Sequence, residues 1–183
     1  MGTTEKARFD RSPPSAFGVG TPFADPAVGG VPGSVAGGPS FWEMTEKTYE
    51  FFEHTADTGV RVYGKTLRDL CIHAAQGLVS LLVENSPIAV TETRPVALSA
   101  ASAEGLLRAW LKELLFWFAT DHFLPGEYHL ETVTPTELRG RVLGERFDPA
   151  RHAQGTEIKG VTYHQFRVEQ TPSGWEAELI FDV

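Results

Sequence analysis

Between residues 67 and 83, Leu67, Leu70, Cys71, Ala74, Ala75, Leu78, Leu81 and Leu82 recur at spacings of three and four, which draws one apolar stripe along a helix. Thr66 stands just before it, with the carboxylate of Asp69 three residues on, the spacing of a capping box. Pro87 helps to stop it. A second stripe of Leu106, Leu107, Trp110, Leu111, Leu114, Leu115 and Phe118 predicts another helix over about residues 103–120. Each helix carries an apolar face that must be buried against another element, and the segments around them read as strands.

Those strand candidates are residues 48–53, 59–64, 94–99, 128–133, 137–147, 157–168 and 175–182. Pro95 places the third near a sheet edge. Turn residues at Pro125-Gly126, Thr134-Pro135 and Thr171-Pro172-Ser173-Gly174 separate the later ones. The order is strands, helix, strand, helix, then a run of strands, which is not an alternating βαβ series. The expectation is an α+β, two-layer domain of about six mostly antiparallel strands with two amphipathic helices.

Residues 1–46 read differently. Pro13, Pro14, Pro22, Pro26, Pro32 and Pro39 are interleaved with Gly18, Gly20, Gly29, Gly30, Gly33, Gly37 and Gly38, a composition that cannot easily build a core. A disordered Gly/Pro-rich extension is therefore expected over 1–46, with the folded domain over 47–183. The extension has no continuous apolar stretch of the kind a secretion signal needs.

Charge and cysteine content narrow the function classes. The formal net charge is −8, which argues against a broad phosphate-binding surface, so any RNA would be held by a partner. The one cysteine, Cys71, allows no intramolecular disulfide and no Cys-based zinc cage, and suits a cytoplasmic location. No apolar run approaches the roughly 20 residues that span a bilayer, so no membrane role is expected. Neither a Gly-x-Ser-x-Gly elbow nor a phosphate-binding P-loop occurs, and no histidine pair has the spacing of a zincin. His73 should lie on the surface, His122 and His129 flank a turn, and His164 falls within a strand. Cys71 lies on the buried stripe, and Trp110, Phe116 and Trp117 are read as packing rather than as a platform for bases.

Two carboxylates stand out. Asp57 lies beside His54 in the tight polar link Glu53-His54-Thr55-Ala56-Asp57-Thr58; it could cap nearby N–H groups as an Asx-turn or serve as a ligand. Asp182 sits next to the α-carboxylate of Val183, and two adjacent anions repel unless water or a cation separates them. It could equally be a frayed, solvated residue. If the first link and the last strand meet, these groups make an all-oxygen set suited to Ca²⁺, Mg²⁺ or Mn²⁺ rather than zinc.

The run Tyr49-Glu50-Phe51-Phe52-Glu53-His54-Thr55-Ala56-Asp57 resembles the opening signature of the archease family, whose core is His-Thr-Ala-Asp. Gly64 followed by Thr66-Leu67 is similar to the family's next segment. His152 and the stretch Gly155-Thr156-Glu157-Ile158-Lys159-Gly160-Val161-Thr162-Tyr163-His164 resemble its second signature, and the closing Asp182-Val183 resembles its ending. Three motifs in order cover all but the first 46 residues. Thr58 stands where an aliphatic residue is common and Gly160 where alanine is common.

The resemblance implies a non-catalytic accessory factor that activates an RtcB-type GTP-dependent RNA ligase, promoting its guanylylation and multiple turnover in tRNA splicing or RNA repair. It implies a divalent cation, Ca²⁺ foremost with Mg²⁺ or Mn²⁺ as alternatives, held by Asp57, Asp182 and Val183. It implies that Lys159, with His54 beside the site, serves partner activation. GTP would be used by the ligase and not bound here, and RNA would be met only through the ligase. Two readings compete: a metal-dependent hydrolase working through Asp57 and Asp182, and a chaperone-like interaction domain without a metal.

Overall fold

The computed structural model describes residues 47–53, 58–84, 86–162 and 166–183. The fold is α+β, with all strand pairings among the described residues antiparallel. In chain order the elements are β1 (Tyr49–Glu53), β2 (Thr58–Gly64), α1 (Leu67–Leu82), β3 (Val83–Glu84), β4 (Glu92–Ser99), α2 (Ala103–Asp121), β5 (Phe123–Thr134), β6 (Glu137–Arg146), β7 (Ala153–Gln154), β8 (Gly160–Val161), β9 (Arg167–Thr171) and β10 (Gly174–Asp182).

Both helices form where the stripes predict them. The Asp69 N–H donates to the Thr66 hydroxyl and the Thr66 N–H to the Asp69 carboxylate, so the capping box is closed in both directions. In α2, Ser102 caps the N-terminus and His122 ends the helix in the left-handed region at φ 56°. The indole N–H of Trp110 donates to the Cys71 carbonyl at 2.9 Å and so ties α2 to α1. The core gathers Leu70, Leu78, Leu81, Leu106, Leu111 and Trp110 from the helices with Val60, Val62, Phe123, Leu138, Leu179 and Phe181 from the strands, all essentially inaccessible. Burial drives the Cys71 thiol up to about 12, so it is an inert core group.

Among the described residues the strands form three sheets: one in the order β1-β2-β10-β8 with β9 also on β10, a three-stranded β4-β6-β5, and the short pair β3-β7. Helix α1 packs on β2, β10 and β5, and α2 on β5, β4, β8 and β9, so each helix joins the two larger sheets.

Four expectations need correction. Strand β5 begins at Phe123 and runs through Pro125-Gly126, where a bulge in its register with β6 absorbs the irregularity. Among the described residues it pairs with β6 alone, and an edge strand tolerates proline, so these residues do not make the turn expected of them. The predicted strand over 157–168 is not continuous. Among the described residues β8 covers Gly160–Val161, and β9 starts only at Arg167. His73 is half-buried, with Nδ1 at 2.5 Å from the Tyr63 carbonyl, rather than a plain surface residue. Phe116 does not pack: it is 59% exposed, whereas Trp110 and Trp117 on the same helix are buried.

Candidate cation site

Strand β10 is flanked on both sides where it ends. Phe181 pairs with Thr58 on β2 and with Val161 on β8, and Asp182 pairs with Gly160. The Lys159 N–H donates to the Asp182 carbonyl at 2.8 Å and the Thr162 N–H to the Ile180 carbonyl at 3.1 Å. Phe181 is fully buried and anchors the end of the strand in the core, whereas Asp182 is exposed and Val183 half-buried. The backbone therefore fixes Asp182 rather than leaving it frayed, because β8 pairs with it directly and the preceding Phe181 is paired on both sides.

Side-chain direction follows from strand period. Ala177, Leu179 and Phe181 point into the core, and Glu176, Glu178 and Asp182 to the opposite face. On that outer face Arg61 lies 3.4 Å from Glu50 and 3.3 Å from Glu178. The Tyr63 hydroxyl donates to Glu50 at 2.6 Å. Hydrogen bonds from Lys47 and then Tyr63 hold the Glu50 carboxyl below its usual range, while burial and Glu50 push Tyr63 up to about 12. Ile180, also on this face, is nonetheless buried, and the Phe52 ring lies close over Gly59, its partner across the strands.

Of the predicted site residues, Asp182, Val183 and Lys159 come together. The Lys159 ammonium donates to the main-chain oxygen of Val183 at 3.1 Å. Asp57 and His54 lie outside the described residues, as does His164. What is described on either side is Glu53 paired with Thr58, so the residue after Asp57 stands on the strand next to Phe181. Among the described residues no group of three or more His, Cys, Asp or Glu gathers as a metal cluster. Among the described residues the donors at this corner are oxygens, and a side-chain cation stands on one of them. Oxygen donors are the kind that a hard divalent ion takes.

A second polar cluster escaped the sequence reading. Glu145, 4% exposed, accepts from the Ala89 N–H at 2.5 Å and from Arg151 at 2.5 and 3.1 Å, and faces His152 Nε2 at 3.3 Å. The Asp148 N–H donates to His152 Nδ1 at 2.9 Å, which by hydrogen-bond assignment leaves the ring proton on Nε2, facing Glu145. Arg151, with the Ala89 N–H, keeps the Glu145 carboxyl below its usual range. Its members come from a strand end, a loop and a turn, so no sequence spacing announces it. A cavity of about 220 Å³ lies elsewhere, between α1 and the start of β5, lined by Gln76, Val79, Ser86, Ile88, Gly126 and Tyr128.

Comparison with known proteins decides the family. Residues 49–183 match the model of the Archease protein family (MTH1598/TM1083). The chain belongs to the archease family. It is 33% identical over 141 residues to Protein archease of Methanosarcina acetivorans, covering 75% of this chain and 97% of that one. It is 30% identical over 136 residues to Protein archease of Sulfurisphaera tokodaii, covering 74% and 98%. The solution structure of Methanobacterium thermoautotrophicum protein 1598 superposes with a TM-score of 0.65 at 29% identity, covering 75% of this chain and 99% of that one. The crystal structure of a Thermotoga maritima archease, described as a possible chaperone, shares the fold with a TM-score of 0.53 at 21% identity, over 72% and 94%. The archease match begins at β1 and ends with Val183, so the corner just described lies wholly within it. Among the described residues no helix is long and apolar enough to cross a membrane.

Proposed function

We propose that this archease is a non-catalytic accessory factor that activates an RtcB-type GTP-dependent RNA ligase, promoting its guanylylation and repeated turnover, through a cation held at the Asp182 corner. The observation that carries the reading is the junction of β2, β10 and β8, which sets Lys159, Asp182 and Val183 side by side with Thr58 one strand away. Asp57, Asp182 and the Val183 oxygen would hold the ion. Ca²⁺ is the first candidate, with Mg²⁺ or Mn²⁺ equally suited by donor type. When bound, such an ion supplies positive charge that neutralises phosphate oxygens during nucleotidyl transfer. Lys159, an exposed ammonium beside the same corner, is a second positive group that a partner's nucleotide or carboxylate would meet.

The net charge of −8 supports a role in which the ligase, and not this chain, holds RNA and GTP. The description of the Thermotoga relative as a possible chaperone supplies the competing reading, in which no ligase is activated. The test is to add the protein to an RtcB-type ligase at limiting enzyme and count ligations per ligase molecule. Many turnovers with the wild-type chain, and about one with Asp57→Ala or Asp182→Ala, are expected. Unchanged turnover with both variants would reject the reading.

A further inference from the structure

Helix α1 ends without a glycine cap or a basic residue in its last turn, and Val83 carries the chain straight into β3. The last four carbonyls of a helix lack partners within it. Two of those in α1 are met from far along the chain, just beyond the β3–β7 pairing. The Gly155 N–H donates to the Leu82 carbonyl at 2.9 Å and the Thr156 N–H to the Leu81 carbonyl at 2.6 Å. The approach is close. A methyl group at Gly155 would lie 2.1 Å from the Leu81 carbonyl oxygen, and its φ is not in the positive range, so space rather than backbone conformation asks for glycine there.

The same stretch reaches the end of β10 almost at once. The Lys159 N–H donates to the Asp182 carbonyl at 2.8 Å, and Gly160 pairs with Asp182. Between the two anchors Ile158 packs against the core, while Glu157 and Lys159 are exposed. From Thr156 to Lys159 the extended chain spans at most about 10 Å, so it holds little slack with which to absorb a shift at α1. We infer that Gly155 is a positioning residue for Lys159: it lets the segment dock on the last carbonyls of α1, and that docking sets where the Lys159 ammonium is presented to a partner. This rests on the reading above in which Lys159 meets the ligase, and it needs no bound ion.

The experiment compares Gly155→Ala with Gly140→Ala in the full chain. At Gly140, within β6, a methyl group would fall 2.3 Å from the His129 carbonyl oxygen, so that variant meets a like backbone clash away from the segment. Hydrogen exchange of the Lys159 amide is followed by NMR, and ligations per ligase molecule are counted where circular dichroism shows both variants folded. Gly155→Ala is expected to speed exchange at Lys159 roughly 3- to 10-fold and to cut turnovers about tenfold, with Gly140→Ala at wild-type values in both. Exchange unmoved in folded Gly155→Ala, or an equal loss of activation in the two variants, overturns the positioning. In the wild type the amides of Gly155, Thr156 and Lys159 should open as one group. A Lys159 amide that opens alone and much faster than Thr156 overturns it as well, even if Gly155→Ala fails to fold. Full activation by Lys159→Met rejects the role of Lys159, and the positioning with it. Activation lost in Lys159→Met but kept in Gly155→Ala rejects the positioning alone.

Discussion

Thr58 and Phe181 face each other across neighbouring antiparallel strands, so the residue that follows Asp57 stands beside the residue that precedes Asp182. Some 120 residues of chain separate these positions in sequence, and β2 and β10 bring them into register. Phe181 is fully buried at the point of contact, which makes the junction part of the core rather than a surface accident.

Function at this corner should separate cleanly from folding. Asp182 is exposed, and its hydrogen-bonded contacts here run through the backbone. Asp182→Ala should therefore change unfolding free energy by about 0.5 kcal/mol or less in a urea titration. The same variant should lose ligase activation. A variant that lost activation only because it unfolded would shift the urea midpoint strongly, which the account does not allow.

Gly160 and Gly144 should respond in opposite directions to alanine. A methyl group at Gly160 meets nothing within 4 Å, and its φ is not in the positive range, so alanine should stabilise by about 0.4–1 kcal/mol through the unfolded chain. A methyl group at Gly144 would fall 2.0 Å from the Leu124 carbonyl oxygen, a backbone atom that cannot swing aside. Gly144→Ala should cost on the order of 1–3 kcal/mol. Denaturant midpoints of the two variants measure both.

The Glu145 cluster sets a pH dependence. Its carboxyl titrates lower in the folded protein than an ordinary glutamate, with Arg151 the main cause and the Ala89 N–H next. The unfolded chain therefore binds the proton first as pH falls. The stabilisation is fully present above about pH 5, and it is lost as pH drops through the folded-state value. Glu145→Gln should flatten stability against pH below 5, and should lower stability at pH 7. Glu145→Ala should cost roughly 2–4 kcal/mol at pH 7, since the Ala89 N–H and the His152 N–H lose their acceptor. Chemical denaturation between pH 3 and 7 reads all three.

Tyr128 offers a contrasting case. Its ring packs edge-on to Trp110 at 6.1 Å, while its buried hydroxyl has no hydrogen-bond partner among the described residues. Burial raises its pKa strongly. Removing an unpartnered hydroxyl gives up no bond, so Tyr128→Phe should be neutral or stabilising by up to about 1 kcal/mol in thermal unfolding.

The helices were legible because their information is local: a 3.6-residue stripe, and the Thr66–Asp69 pair that marks a start. The turn at Thr171 to Gly174 was legible for the same reason, and there Gly174 adopts φ 141° between β9 and β10. Pro125-Gly126 misled because the same dipeptide serves a tight turn or a bulge within a strand, and only the pairing of β5 with β6 through these residues separates the two. Phe116 misled because a helix stripe blurs at its margin, where one residue's rotation decides packing or exposure. At the candidate site, Asp182 and Lys159 could be named from motif resemblance. That the Lys159 ammonium sits on the Val183 oxygen depends on the pairing of β8 with β10, across 24 positions, and no local pattern encodes it.

The cation proposed at the Asp182 corner is tested most directly by titrating substoichiometric MnCl₂ into ¹⁵N-labelled protein and following amide signals. Paramagnetic broadening should erase Thr58, Gly160, Asp182 and Val183 first, on three strands at once, while Ala97 and Arg139 on the β4–β6 pair stay sharp. Broadening confined to one strand, spread evenly over the molecule, or missing at this corner would contradict the account.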